Sequence, residues 1–236
     1  MNSLQAQFEQ AFLYDNRWMS YLKALKVTLL LTLVALAIGI VLGILVAVVR
    51  TIHDQNPRSR SNPLLILLNA ICKIYTTVIR GTPMMVQLLI WGFVIFKSSR
   101  NGFGIGVIAL GVNSGAYVAE IVRGGIMSID PGQMEAGRSL GLGYPQVMKS
   151  VIIPQAIKNI LPALGNELIT LFKDTSLVSV IGSVVELTKN GSLIAGKIYN
   201  YTMPMYGVAL LYLIVVLILT WLQGKLERRL RRSDRV

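Results

Sequence analysis

Residues 27–49 read VTLLLTLVALAIGIVLGILVAVV, an apolar run without a single charge. A helix rises about 1.5 Å per residue, so this run spans roughly 34 Å and covers a bilayer core of about 30 Å. A secretory signal has a shorter apolar core, about 7–15 residues. The stretch Met1–Ser20 before it is polar and aromatic, with neither a basic start nor a cleavage site of small residues. The run therefore reads as a membrane span. The composition agrees: of 236 residues, 53% are hydrophobic and only 14% charged, where soluble domains carry about 25% charge.

Outward from this span the chain alternates between apolar and polar segments. Arg50–Pro63 is a polar loop with Arg50, Arg58 and Arg60. Pro63–Phe96 is mostly apolar but interrupted by Lys73 and by Arg80-Gly81-Thr82-Pro83, where proline removes a backbone donor and predicts a kink or break. Phe103–Val122 is a Gly-rich span that allows close helix approach. Gly124–Ser150 is polar. Val151–Phe172 is a further span, with bends expected at Pro154 and Pro162. Ser176–Leu187 is too short to cross, Thr188–Met203 is polar, and Tyr206–Leu222 is the last span. The expectation is an all-α integral membrane protein of about five spans. Six is the alternative, if Pro63–Phe96 crosses twice.

The net charge of +12 raises nucleic acid as a partner, but the placement of the charge argues against it. Lys225, Arg228, Arg229, Arg231, Arg232 and Arg235 crowd the C-terminal end directly after an apolar run, without interleaved aromatics. That is the pattern of a cytoplasmic tail beside anionic lipid, not of a stacking groove for single strands. Three segments follow: a polar N-terminus at 1–21, a membrane domain at 22–224 and a basic cytoplasmic tail at 225–236. Two crossings back from the tail, the loop 124–154 is cytoplasmic too. The lone Cys72 leaves no internal disulfide and no thiol cluster for a metal, and His53 reads as a solvated loop residue.

That loop holds the most specific signal. Asp130 is placed to cap a helix, Pro131 fits its first position, and Gln133 has the spacing of a capping box. Gly141 fits a helix end in the left-handed conformation. A short, rigid, capped helix in a cytoplasmic loop suits a handle for another protein, and the small residues Ala136 and Gly137 would let a partner approach closely.

Glu135-Ala136-Gly137, then Gly141, then nine residues to Val151-Ile152-Ile153-Pro154, resembles the coupling motif of ATP-binding cassette importer permeases. That family pattern is Glu-Ala-Ala, three residues, Gly, nine residues, Ile-any-Leu-Pro. The chain departs from it at Gly137, Val151 and Ile153 and keeps the spacing. Arg80-Gly81-Thr82-Pro83 with Val86-Gln87, the run Ala116–Ile126, and Asn166-Glu167 followed by Lys173-Asp174-Thr175-Ser176-Leu177 resemble the polar amino acid group of that family, over about residues 20–224.

The resemblance implies a type I importer permease fold in the inner membrane of a prokaryote. It also implies a second permease subunit, identical or paralogous, two ATPase subunits that bind ATP and magnesium, and an extracytoplasmic binding protein that delivers the amino acid. Glu135, Ala136, Gly137, Gly141 and Pro154 would couple the chain to the ATPase. No cofactor is expected in this chain. Gly191–Lys197 approaches the spacing of a phosphate-cradling loop, but Ile198 stands where a magnesium-binding hydroxyl is needed. No catalytic constellation and no metal site is legible.

Polar groups inside spans mark the expected substrate path, because they are costly there. Glu167 and Asp174 stand seven apart and so share one face of a helix. An acid at mid-membrane costs about 2.5–3.5 kcal/mol on insertion scales unless something offsets it. Two readings stay open. Either the acids meet a substrate cation, or Asp174 ends its helix in water beside Lys173 while Glu167 pairs with Arg80 or Lys73. Gln87, Asn113 and Tyr117 are further candidates for substrate contact or for helix–helix bonds, and Arg80 for a gate or a carboxylate contact. Glu120 and Arg123 have the spacing of an intrahelical pair. An ion-gradient-coupled amino acid transporter is the alternative function. It calls for an internal repeat, which the chain does not visibly carry.

Overall fold

The structure, a computed structural model, describes residues 4–55 and 62–232, with side chains through residue 230. Arg58, Arg60 and Arg235 lie outside the described residues. In chain order the helices are α1 (Leu4–Phe8), α2 (Arg17–Gln55), α3 (Pro63–Gly81), α4 (Met84–Leu89), α5 (Gly102–Met127), α6 (Pro131–Ser139), α7 (Tyr144–Val147), α8 (Ile153–Asp174), α9 (Leu187–Ile198) and α10 (Thr202–Arg232).

The runs Leu4–Gln55, Pro63–Gly81, Gly102–Met127 and Thr202–Leu230 are long and apolar enough to cross a membrane. α8, at 22 residues, is a fifth helix of spanning length. Lys158, Glu167, Lys173 and Asp174 make it more polar than the other four. The interruption expected in Pro63–Phe96 is a true break. Thr82 turns to an extended conformation (φ −120°, ψ 145°) before Pro83, as the residue preceding proline is driven to do. α4 then restarts on Pro83, whose carbonyl accepts the Gln87 N–H at 3.1 Å. The piece Met84–Ile95 is too short to cross alone, which leaves α3 as the spanning part.

The chain stays helical through Pro154, and the departure from a regular helix falls just before it, where Met148–Ile152 widens into a π-helical segment of the kind that accommodates an interrupted hydrogen-bond ladder. Pro162 lies inside α8 within an unbroken run of helix. Two helices extend beyond the apolar runs that announced them: α2 begins at Arg17 and α10 continues through the basic tail to Arg232. The polar stretch after Leu187 folds as α9, which the sequence reading left without structure.

The fold comprises two compact units. The first contains the described residues of Met1–Leu36, Pro83–Gly111 and Leu168–Leu222. Its core gathers Tyr21, Leu187, Ile194 and Val208. Gly191 serves packing here: a Cβ on it would lie 2.4 Å from Val208 Cγ2.

The second unit contains the described residues of Ala37–Thr82, Val112–Glu167 and Gln223–Val236. Gly39 and Gly43, four apart on α2, let that helix touch α5. A Cβ on Gly43 would lie 2.5 Å from Val118 Cγ1, and one on Gly39 would lie 2.8 Å from Ser114 Oγ. In a bilayer lipid competes with apolar side chains for contact, so this small-residue approach, rather than water exclusion, holds such helices together.

Candidate functional site

The coupling segment is built as its sequence predicts at both ends. The Asp130 side chain accepts the Gly132 N–H at 2.8 Å, and Pro131 opens α6. Gly141 has φ +81°. The Leu142 N–H reaches the Gly137 carbonyl at 3.2 Å and the Gly141 N–H reaches the Arg138 carbonyl at 3.0 Å. This pair of bonds is the Schellman closure of a helix end. The reciprocal glutamine contact occurs one helix later than expected: Gln146 Oε1 accepts the Gly143 N–H at 2.8 Å, ahead of α7.

Gly137 turns inward rather than toward a partner. It is buried, and a Cβ on it would meet Val147 Cγ2 at 2.7 Å. α6 and α7 therefore close on each other through this glycine. Val147 is fully buried in a cluster with Ala47, Val118, Val122, Ile126 and Ile152, so the hairpin is fixed to α2, α5 and the start of α8. Glu135 and Ala136 stay exposed. Leu140 is 81% exposed, an apolar tip that the sequence reading overlooked.

In the same unit the Ser114 hydroxyl donates to Glu167 Oε1 at 2.7 Å. Glu167 is half-buried and Asn113 buried. Arg80 lies at 3.8 Å from Glu120, with its guanidinium 5.5 Å from the centre of the Tyr117 ring. The expected pair of Glu120 and Arg123 is present at 3.6 Å. Arg50 also pairs with Glu120, and Arg123 reaches Asp54 at 3.4 Å. Three guanidiniums thus converge on one carboxylate. Sequence reasoning missed Arg50 and Asp54 in this role. The available signal was an acid inside a span, which demands a counter-ion, but the choice of Arg50 is not written locally.

In the first unit, Gln87 is buried on α4. Asp174 is the half-buried last residue of α8. The stretch 191–197 lies inside α9, where consecutive N–H groups bond along the helix instead of cradling a phosphate. Glu186, which the sequence reading did not single out, is fully buried and caps α9. It accepts the Thr188 N–H at 2.7 Å and the Lys189 N–H at 2.6 Å. Burial pushes its carboxyl above the ordinary range, against the pull of those two N–H bonds.

Comparison with known proteins gives a consistent result. The model of the family described as binding-protein-dependent transport system inner membrane component matches residues 66–232. The chain is 38% identical over 216 residues to the arginine transport system permease protein ArtQ of Bacillus subtilis, covering 90% of this chain and 93% of that one. It is 38% identical over 210 residues to the glutamine transport system permease protein GlnP of Escherichia coli K12, covering 87% and 90%. A crystal structure of an amino acid ABC transporter with histidines superposes with a TM-score of 0.79 at 42% identity, covering 89% of this chain and 94% of that one. An inward-facing MetNI methionine ABC transporter shares the fold, with a TM-score of 0.77 at 21% identity over 92% and 98%.

Proposed function

This chain belongs to the family of binding-protein-dependent transport system inner membrane components, and from that membership we propose that it carries polar or basic amino acids into the cytoplasm by alternating access. It is the permease subunit of an amino acid ABC importer and a multi-pass inner-membrane protein. Family membership displaces the ion-gradient alternative. In this reading ATP and magnesium bind a partner ATPase, a second permease subunit completes the pathway, and an external binding protein delivers the substrate. The C-terminal tail faces the cytoplasm, consistent with its basic charge.

The observation that carries the substrate class is the pair of acids on α8. Glu167 is held by the Ser114 hydroxyl, and Asp174 stands seven residues on, half-buried at the helix end. Two acids on one helix attract an ammonium or guanidinium, and the relatives' arginine and glutamine names fit that chemistry. Gln87, Asn113, Tyr117 and Arg80 are secondary contacts in this reading, with Arg80 suited to the substrate carboxylate.

The α6–α7 hairpin is the lever. It is capped at both ends, anchored through Val147, and presents Glu135, Ala136 and Leu140 outward. For nucleotide state to bias the permease, the ATPase must bind its two conformations with different affinity. A rigid, anchored hairpin transmits that difference to α2, α5 and α8.

The test is L-arginine binding and L-arginine-stimulated ATPase activity in the complete permease–ATPase complex. Glu167→Gln and Asp174→Asn are each expected to weaken L-arginine binding about tenfold or more. Unchanged affinity in both variants rules out the acids as the substrate contact.

A further inference from the structure

The second unit contains an apolar groove of about 410 Å³ that neither the substrate reading nor the exposed tip of the hairpin uses. Its volume lies in the range of small-molecule sites, about 300–1,000 Å³. Val48 and Ile52 line it from α2, Ile126 from the last turn of α5, and Ile153 from the first turn of α8. Pro145 and Met148 line it from α7 and the π-helical segment that follows.

These positions share one membrane end. Val48 and Ile52 straddle the end of the charge-free run 27–49. Ile126 nearly closes α5, and Ile153 opens α8. Gln55 holds the walls together: it accepts the Tyr144 hydroxyl at 3.2 Å, and its amide reaches Met127 Sδ at 3.5 Å. The groove therefore stands where hydrocarbon gives way to headgroups. In the orientation proposed above that level is the cytoplasmic one.

Two polar groups break the apolar lining. Lys149 is the charged residue among the described walls, and it is exposed. Thr51 is only 3% exposed, and its hydroxyl has no hydrogen-bond partner among the described residues. A buried hydroxyl left unpaired costs free energy that an acceptor lodged beside it would recover.

We propose that this groove binds one anionic phospholipid. Its acyl chain lies against Val48, Ile52, Met148 and Ile153, its phosphate meets Lys149, and an ester carbonyl accepts the Thr51 hydroxyl. A small soluble anion would leave the apolar walls unfilled, and a neutral lipid would leave the lysine without a counter-charge. The surface offered to the ATPase is Glu135, Ala136 and Leu140, none of which lines this groove. A lipid held here bridges α2 to the hairpin and steadies the lever at the membrane surface.

The experiment places the assembled permease–ATPase complex in phosphatidylcholine nanodiscs with a trace of phosphatidylglycerol that carries a diazirine on its acyl chain. After irradiation, label is expected on the peptides containing Ile52 and Met148, and unlabelled phosphatidylglycerol is expected to displace it. Lys149→Gln should raise the phosphatidylglycerol needed for half-displacement about fivefold. Thr51→Val, which keeps the side-chain shape, should raise it about two- to fivefold. Added phosphatidylglycerol should also raise the melting temperature of the detergent-purified complex, and do so less in Lys149→Gln. Absence of label on both peptides, or label that unlabelled phosphatidylglycerol does not displace, overturns the site. Displacement unchanged in both variants overturns it too. Label that appears only once the ATPase has been stripped away assigns the groove to the ATPase and overturns the proposal.

Discussion

The hydroxyl of Ser114 on α5 lies 2.7 Å from Glu167 Oε1 on α8 and donates to it. A hydroxyl donor stabilises the ionised carboxylate. Removing it in Ser114→Ala is expected to weaken L-arginine binding by severalfold, less than Glu167→Gln does, because the charge remains. Calorimetric titration of the complex measures both. A larger loss in Ser114→Ala than in Glu167→Gln would contradict this ordering.

Gly137→Ala places a methyl 2.7 Å from Val147 Cγ2. Valine has no flexible end with which to retreat, so overpacking of about 1–3 kcal/mol is expected. The thermal midpoint of the detergent-purified complex should fall, and ATP hydrolysis should lose part of its dependence on substrate as the hairpin loosens. Val147→Ala in the same chain makes room for the methyl and should recover much of the loss. A double variant no better than Gly137→Ala would show that the contact is not the cause.

Gly141 closes α6 at φ +81°, where a Cβ costs about 1–2 kcal/mol. The surroundings are open, with nothing near the added carbon, so the cost of Gly141→Ala is purely conformational. Gly141→Asn, which tolerates this region better, should lie between glycine and alanine. The expected order in the ratio of substrate-stimulated to basal ATPase rate is Gly above Asn above Ala. Equal ratios would mean the hairpin end does not matter for coupling.

Glu120 receives Arg50, Arg80 and Arg123. Removing its charge in Glu120→Gln leaves the guanidiniums facing one another with Asp54 alone opposing Arg123. Breaking a buried pair on one side costs up to about 3–5 kcal/mol. These groups are partly exposed, so about 1–3 kcal/mol is expected, visible as a lowered melting temperature. Arg50→Gln should cost less in the Glu120→Gln background than in the wild type.

Burial raises the Glu186 carboxyl above its ordinary value of 4.5. The folded state therefore holds this proton more tightly than the unfolded chain, so proton binding there favours folding. The contribution is complete below about pH 4.5 and is lost as pH rises through the raised folded value. Glu186→Gln removes the titration. Its melting temperature, measured against wild type from pH 4.5 to 7.5, should gain on the wild type as pH rises. A constant difference would show that Glu186 does not titrate in this window.

What the sequence determined by itself was set by short-range physics. A charge-free run long enough to cross hydrocarbon must be a helix, because only that arrangement satisfies its backbone internally. The ends of α6 were equally legible, since the Asp130 cap and the Gly141 closure act on groups within a few residues. The break at Thr82–Pro83 followed from the ring of one proline. Tertiary structure alone decided which partners the membrane charges take. Ser114 and Glu167 are 53 residues apart, and Arg50 and Glu120 are 70 apart. Their meeting depends on how each helix is rotated and how high it sits, which the close approach at Gly39 and Gly43 fixes. The same holds for Glu186 and α9. A polar stretch becomes an ordered helix only where α2 and α10 supply the hydrophobic neighbours and the hydroxyls that make burying its cap tolerable.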